Sequence, residues 1–180
     1  MFSSKQLLVF YLPTYTPRLL LFFPDGNKAG EIRNSTTKKE VLKGFITLRK
    51  TPKRYTLYDE NQNSSGFYLI KKNKNINIEV YNDKEEFLGN FQKGKQYGNL
   101  LDTEGSCWGK TVGSRLYMDE KILSSQDNEL VRLRRGWMPL EWSKLFPEPN
   151  TPIISLNPEL SNEKKLMSMS LLIQEFFIER

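Results

Sequence analysis

Apolar residues along this chain come in short runs separated by turn residues, and most runs alternate or are β-branched and aromatic. Lys5–Leu12 is one such run, and Pro13 and Pro17 bracket the turn that follows it. Arg18–Phe23 (RLLLFF) is continuously apolar and stops at Pro24-Asp25-Gly26-Asn27, a strong turn signal. Ala29–Arg33, Glu40–Lys50 (bent at Gly44), Lys53–Tyr58 and Phe67–Lys72 follow as strands, with polar loops between them. Ile76, Ile78 and Val80 alternate with Asn77, Glu79 and Tyr81, the period of a half-buried strand. Glu86–Phe91 returns after Asn82–Glu85, with Gly89 placed for a bulge. Gln92–Gly109 is the least regular stretch. Lys110–Met118, Lys121–Ser124 and Leu130–Arg134 read as further strands, with turns expected at Asp119-Glu120 and Asp127-Asn128. Gly136–Trp142 is aromatic and is expected to pack on the core. Phe146–Pro152 is a proline-stiffened connector, and Ile153–Leu156 is a last strand.

At Ser161 the pattern changes. Ser161 or Asn162 supplies an N-cap, Glu163 suits the first turn, and Arg180 suits the last. Between Leu166 and Ile178, nine of thirteen residues are apolar and occupy most of a helix circumference. A surface helix keeps a broad polar face, so this one needs to be surrounded. A membrane span takes about 20 apolar residues; this segment is shorter and contains Glu175. Sheet from the same chain is the economical surrounding. The expected fold is therefore mainly β: a closed antiparallel barrel of ten to twelve strands enclosing the C-terminal helix, with residues 1–180 as one domain. No internal sequence repeat and no second-domain linker are evident.

Composition narrows the chemistry. The chain of 180 residues contains no histidine and a single cysteine, Cys107. Serine or cysteine catalysis with a histidine base is excluded, as are histidine metal ligation, an internal disulfide and any multi-cysteine zinc site. No cofactor is expected. No cleavable leader is recognisable, since Pro13 cuts the first apolar run short; a cytoplasmic protein is the expectation. The net charge of +6 is uneven. Residues 28–54 carry nine Lys/Arg against two acids, whereas residues 75–180 carry thirteen against sixteen.

The sequence Tyr81-Asn82-Asp83-Lys84-Glu85-Glu86-Phe87-Leu88-Gly89, with Arg134-Arg135-Gly136-Trp137-Met138-Pro139, Asn150-Thr151-Pro152 and the apolar final helix, resembles the bacterial branch of the tubby C-terminal-like superfamily. That superfamily includes the LURP-one-related proteins and the phospholipid scramblases. The resemblance runs from about Arg18 to Arg180, and it implies a twelve-stranded barrel threaded by a hydrophobic C-terminal helix. Tubby domains bind phosphoinositides through basic side chains, and scramblases are tied to membranes and calcium. No position here matches a headgroup motif closely enough to transfer, and no EF-hand loop is present.

Among the residues themselves, Gly109-Lys110-Thr111 lacks the upstream glycine of a phosphate loop and leads into a strand. Asp102, Glu104, Asp119 and Glu120 are turn acids that either solvate loops or form an acid/base or metal site. Cys107 beside Trp108 reads as packing. The leading candidate is a basic set, Arg49, Lys50, Lys53, Arg54, Lys71 and Lys72, expected to converge at neighbouring strand ends with Tyr55 and Tyr58 beside it. Such a set can hold anionic lipid headgroups at a membrane periphery. A non-enzymatic binding barrel is the expectation, with a protein-interaction scaffold as the alternative. Nucleic acid is disfavoured, because neither a recognition helix nor a stacking array accompanies the charge.

Overall fold

A computed structural model describes residues 5–37, 53–72, 76–94, 97–114, 118–146, 148 and 150–178. Twelve strands follow one another: β1 Gln6–Leu12, β2 Arg18–Phe22, β3 Lys28–Asn34, β4 Lys53–Asp59, β5 Ser64–Lys72, β6 Ile76–Asn82, β7 Phe87–Lys93, β8 Gly98–Leu101, β9 Cys107–Ser114, β10 Asp119–Leu123, β11 Glu129–Arg134 and β12 Ile153–Leu156. Each pairs antiparallel with its sequence neighbours, and β12 closes on β1, giving a closed up-and-down barrel. The expected strand Glu40–Lys50, with its bend at Gly44, lies outside the described residues. Two expectations need correction. The irregular stretch 92–109 contains β8, which at four residues is too short to show a period. Asp119-Glu120 opens β10 instead of turning, because Asp119 is held outside by Arg132 while Glu120 is buried.

The barrel is filled by the C-terminal helix. Its first part, α1 (Asn162–Ser168), starts at Ser161, whose side chain accepts the Lys164 N–H. It breaks at Met169, continues as α2 (Ser170–Ile173) and ends in a π-helical turn, Gln174–Ile178. Ser168 Oγ bonds back to the Lys164 carbonyl, a contact that bends helices. Every residue from Lys165 to Gln174 is buried, so sheet covers all sides of this segment. Inward side chains of the wall, including Leu7, Leu19, Leu57, Tyr68, Ile78, Phe91, Leu100 and Ile122, form one cluster with it. The Tyr68 hydroxyl donates to the Leu166 carbonyl at 2.9 Å inside this cluster, and burial pushes the phenol pKa well above its ordinary value. Aromatic contacts close the far end, with Tyr55 on Phe177 and Tyr11 on Phe176.

The end at which the helix enters is built from a repeated unit that the sequence alone did not reveal. Five hairpins there close with the N–H of the first turn residue donating to the carbonyl of the fifth: Phe23 to Asn27, Asp59 to Asn63, Asn82 to Glu86, Asp102 to Ser106 and Ser124 to Asn128. In each, the fourth residue has positive φ: Gly26, Gln62, Glu85, Gly105 and Asp127. The side chains of Asp59, Asn82, Asp102 and Ser124 accept the N–H groups of the third and fifth residues. Every returning strand then carries a one-residue bulge, at Ala29, Ser65, Leu88, Trp108 and Leu130. Ala29, Leu88, Trp108 and Leu130 pack against the core, so the bulges narrow the wall around the entering helix. Gly66 and Gly89 follow two of them at φ +147° and +142°. A Cβ at Gly66 would lie 2.6 Å from Leu166, and one at Gly89 would lie 2.6 Å from Met167 and 2.2 Å from the Leu101 carbonyl.

A second, smaller cluster lies on the outer face. Phe146 from the segment joining β11 to β12 packs with Leu8 and Ile153, and Phe10, Phe22, Met138 and Trp142 surround them. The expected packing of 136–142 on the core therefore takes place outside the barrel, and only in part: Trp137 and Leu140 are 60% and 88% exposed.

Candidate anion-binding face

The opposite end, where the helix terminates, carries the candidate site. Leu19 and Leu21 of β2 and Ile32 of β3 face the core, so Arg18 and Arg33 alternate outward. The register sets Arg18 directly opposite Arg33, and Arg33 opposite Thr56 of β4. Arg54 is the next outward position on β4 toward the same end. Like charges directly opposite one another on a sheet face destabilise it. Arg33 is steadied by Glu31 Oε1 at 3.1 Å and by the Tyr58 ring, whose centroid lies 4.1 Å from its guanidinium carbon. Glu31, almost fully buried, also takes Lys28 Nζ at 2.8 Å. Arg18 is exposed.

The six residues named from the sequence fare differently. Arg49 and Lys50 lie outside the described residues. Lys53 and Arg54 open β4 beside the end of β5, as the pairs Lys53–Ile70 and Arg54–Leu69 show. Lys53 is exposed at the mouth. Arg54 lies 3.6 Å over the Phe67 ring and bonds Glu85 at 3.0 Å. Lys71 is paired with Glu79. Lys72 ends β5, and its side chain lies outside the described residues. The strand ends thus meet as expected, but acids offset Arg54 and Lys71. Sequence reading missed Arg18 and Arg33. Counting outward from the Pro24–Asn27 turn would have paired them, provided the bulge at Ala29 was allowed for.

Of the other candidates, Asp102 and Asp119 are engaged structurally, whereas Glu104 and Cys107 are exposed. Asp102 caps its own hairpin. Asp119 receives Arg132 Nε and Nη2 at 2.7 and 2.8 Å, and these bonds hold its carboxyl pKa below the ordinary value against the opposing effect of burial. It lines a shallow outer groove of about 790 Å³ with Lys121, Glu129, Arg135 and Trp137, in which Lys121 and Glu129 pair with each other. Cys107 does not pack as expected: it is exposed, because Trp108 is the residue that the bulge turns inward, and its thiol donates to the Gly109 carbonyl at 3.4 Å. Among the described residues no cluster of three metal-ligating side chains occurs, and no helix is long and apolar enough to cross a membrane.

Compared with known proteins, the chain matches no family model, no curated protein and no solved structure.

Acids gather at one end. In an up-and-down barrel, alternate connections fall at opposite ends. Those at the entry end, 23–27, 60–63, 83–86, 102–106, 124–128 and 157–161, contain nine acids and one lysine.

Proposed function

We propose that the protein is a non-enzymatic binding barrel that docks on anionic phospholipid headgroups through its helix-exit end. The observation that carries this reading is Arg18 set directly opposite Arg33, with exposed Lys53 at the same end of the next strand. Arg33 is held by Glu31 and Tyr58, and exposed Arg18 and Lys53 beside it offer an anion charge and, through Arg18, a forked pair of hydrogen bonds. The filled interior supports an external site, because the helix occupies the space a barrel of this size would otherwise offer a ligand. The resemblance to tubby-like domains points the same way. A protein partner is the second reading, favoured by the exposed Trp137, Leu140 and Leu145 on the β11–β12 segment.

The test is vesicle co-sedimentation, comparing anionic with neutral lipid at low and moderate salt. Binding is expected to anionic vesicles alone and to weaken with salt. Each Lys or Arg near such a surface contributes about 1 kcal/mol, so Arg18→Ala/Lys53→Ala should weaken binding roughly 30-fold, with Arg49→Ala/Lys50→Ala as a second variant. Equal binding to neutral vesicles, or none to either, would discard the lipid reading and turn attention to protein capture.

A further inference from the structure

The outer groove on the wall of β9, β10 and β11 has no part in the headgroup reading, and its charges do not all cancel. Asp119 and Arg134 stand directly opposite each other in the β10–β11 register, the arrangement of a cross-strand ion pair. Both Asp119 oxygens go instead to Arg132, at 2.7 and 2.8 Å. Lys121 and Glu129 close on each other. Two cations are left over where β11 ends: among the described residues, neither Arg134 nor Arg135 has a carboxylate partner. The Nε–H of each is shut off from solvent and has no acceptor either. Folded chains seldom leave an enclosed donor unanswered.

Beside these arginines stands an aromatic ring that the fold leaves open. Trp137 is 60% exposed and lines the groove with Arg135, and the Arg134 guanidinium carbon lies 5.4 Å from its ring centroid. Trp142 of the same segment packs against the outer cluster around Phe146, so the segment has a place to cover an indole and Trp137 is not in it. We infer that this end of the groove is a nucleotide site, in which Arg134 and Arg135 hold the phosphate of a nucleoside monophosphate and the base lies on Trp137. Guanidinium groups supply the forked donors that phosphate oxygens accept, and an indole supplies a stacking face that any base can use. A free phosphate would leave the ring bare, and a neutral ring would leave both cations unpaired. The ligand is a single nucleotide, because a nucleic-acid strand following the groove would run onto Asp127, a carboxylate at its other end with no cation of its own among the described residues. The site is separate from the headgroup residues, since β12 and β1 lie between β11 and β2 in the ring.

The test is isothermal titration calorimetry of the full chain with adenosine monophosphate (AMP) in lipid-free and phosphate-free buffer. Adenosine, ribose phosphate and inorganic phosphate are titrated alongside. AMP should bind, and each of the other three should bind at least about tenfold more weakly, because each lacks either the stacking or the charge-assisted hydrogen bonds. Arg134→Gln/Arg135→Gln should reduce AMP to the level of adenosine, and Trp137→Leu should reduce it to the level of ribose phosphate. Trp137 is exposed, so its variant should melt as the wild type does and decides the matter even if the double arginine variant fails to fold. Arg18→Ala/Lys53→Ala should bind AMP unchanged. No binding of AMP at millimolar concentration would overturn the inference. So would ribose phosphate binding as tightly as AMP, or AMP affinity that Trp137→Leu leaves untouched. AMP binding lost in Arg18→Ala/Lys53→Ala would overturn it too, by moving the phosphate to the headgroup residues. With no lipid present, failure here leaves the headgroup proposal standing, and failure on vesicles leaves this one standing.

Discussion

Asp119 shows what one side chain contributes on the outer wall. Its bidentate bond to Arg132 links β10 to β11, and the guanidinium lowers the carboxyl pKa in the folded chain. A carboxyl depressed by folding adds stability above its unfolded value, about 3.9, and that contribution disappears as pH falls through the lower folded value. Both partners remain partly exposed, which limits the effect. Asp119→Asn should cost about 0.5–1 kcal/mol near neutral pH. The gap from wild type should close as pH falls through and below the ordinary carboxylate range, as read from urea unfolding across the acid range. A gap of constant size at all pH values would show that the pair acts by packing instead of charge. The same residue marks a limit of sequence reading. Asp119-Glu120 has turn composition, and only the arginine thirteen positions later makes it a strand opening.

At the scale of elements, the hairpin with its bulge and inward glycine is the unit that fits wall to helix. Gly89→Ala places a methyl group within 2.6 Å of Met167 and 2.2 Å of a backbone carbonyl, at a φ that L residues rarely adopt. It should destabilise by about 2–3 kcal/mol or more by thermal or chemical melting. An unchanged melt would mean that the helix has slack at this level. Removing residues 161–180 should abolish cooperative folding, because the cluster of inward side chains would line an empty barrel. A soluble truncation that melts cooperatively would refute the central role of the helix. Most of this level was legible. The alternation in Ile76–Val80, the turn at Pro24–Asn27 and the all-round apolar helix each follow from local sequence. The bulge at Leu88 was legible too, through Gly89. The repeat was not, because its five turns share backbone conformation with different side chains: Gly, Gln, Glu and Asp all occupy the positive-φ position.

For the whole molecule, the sequence showed a basic stretch and a nearly neutral remainder, which suggested one patch on an otherwise even surface. The barrel arranges charge differently. Successive turns alternate between ends, so the acidic turns 23–27, 60–63, 83–86, 102–106 and 124–128, spread along the chain, gather at the helix-entry end. The basic residues chosen from the sequence were neighbours along the chain, and two of them, Arg54 and Lys71, meet acids from other turns or strands. Arg18 and Arg33, fifteen positions apart, became neighbours across a strand pair. The strands, the need to enclose the final helix, and hence the closed barrel follow from the chain's own pattern, because hydrophobic period and the burial of an apolar cylinder are properties of local sequence. Which charges stand together and which cancel is settled by folding alone. That depends on pairing register, a one-residue bulge and the parity of each turn around the ring, and none of these leaves a signal in composition.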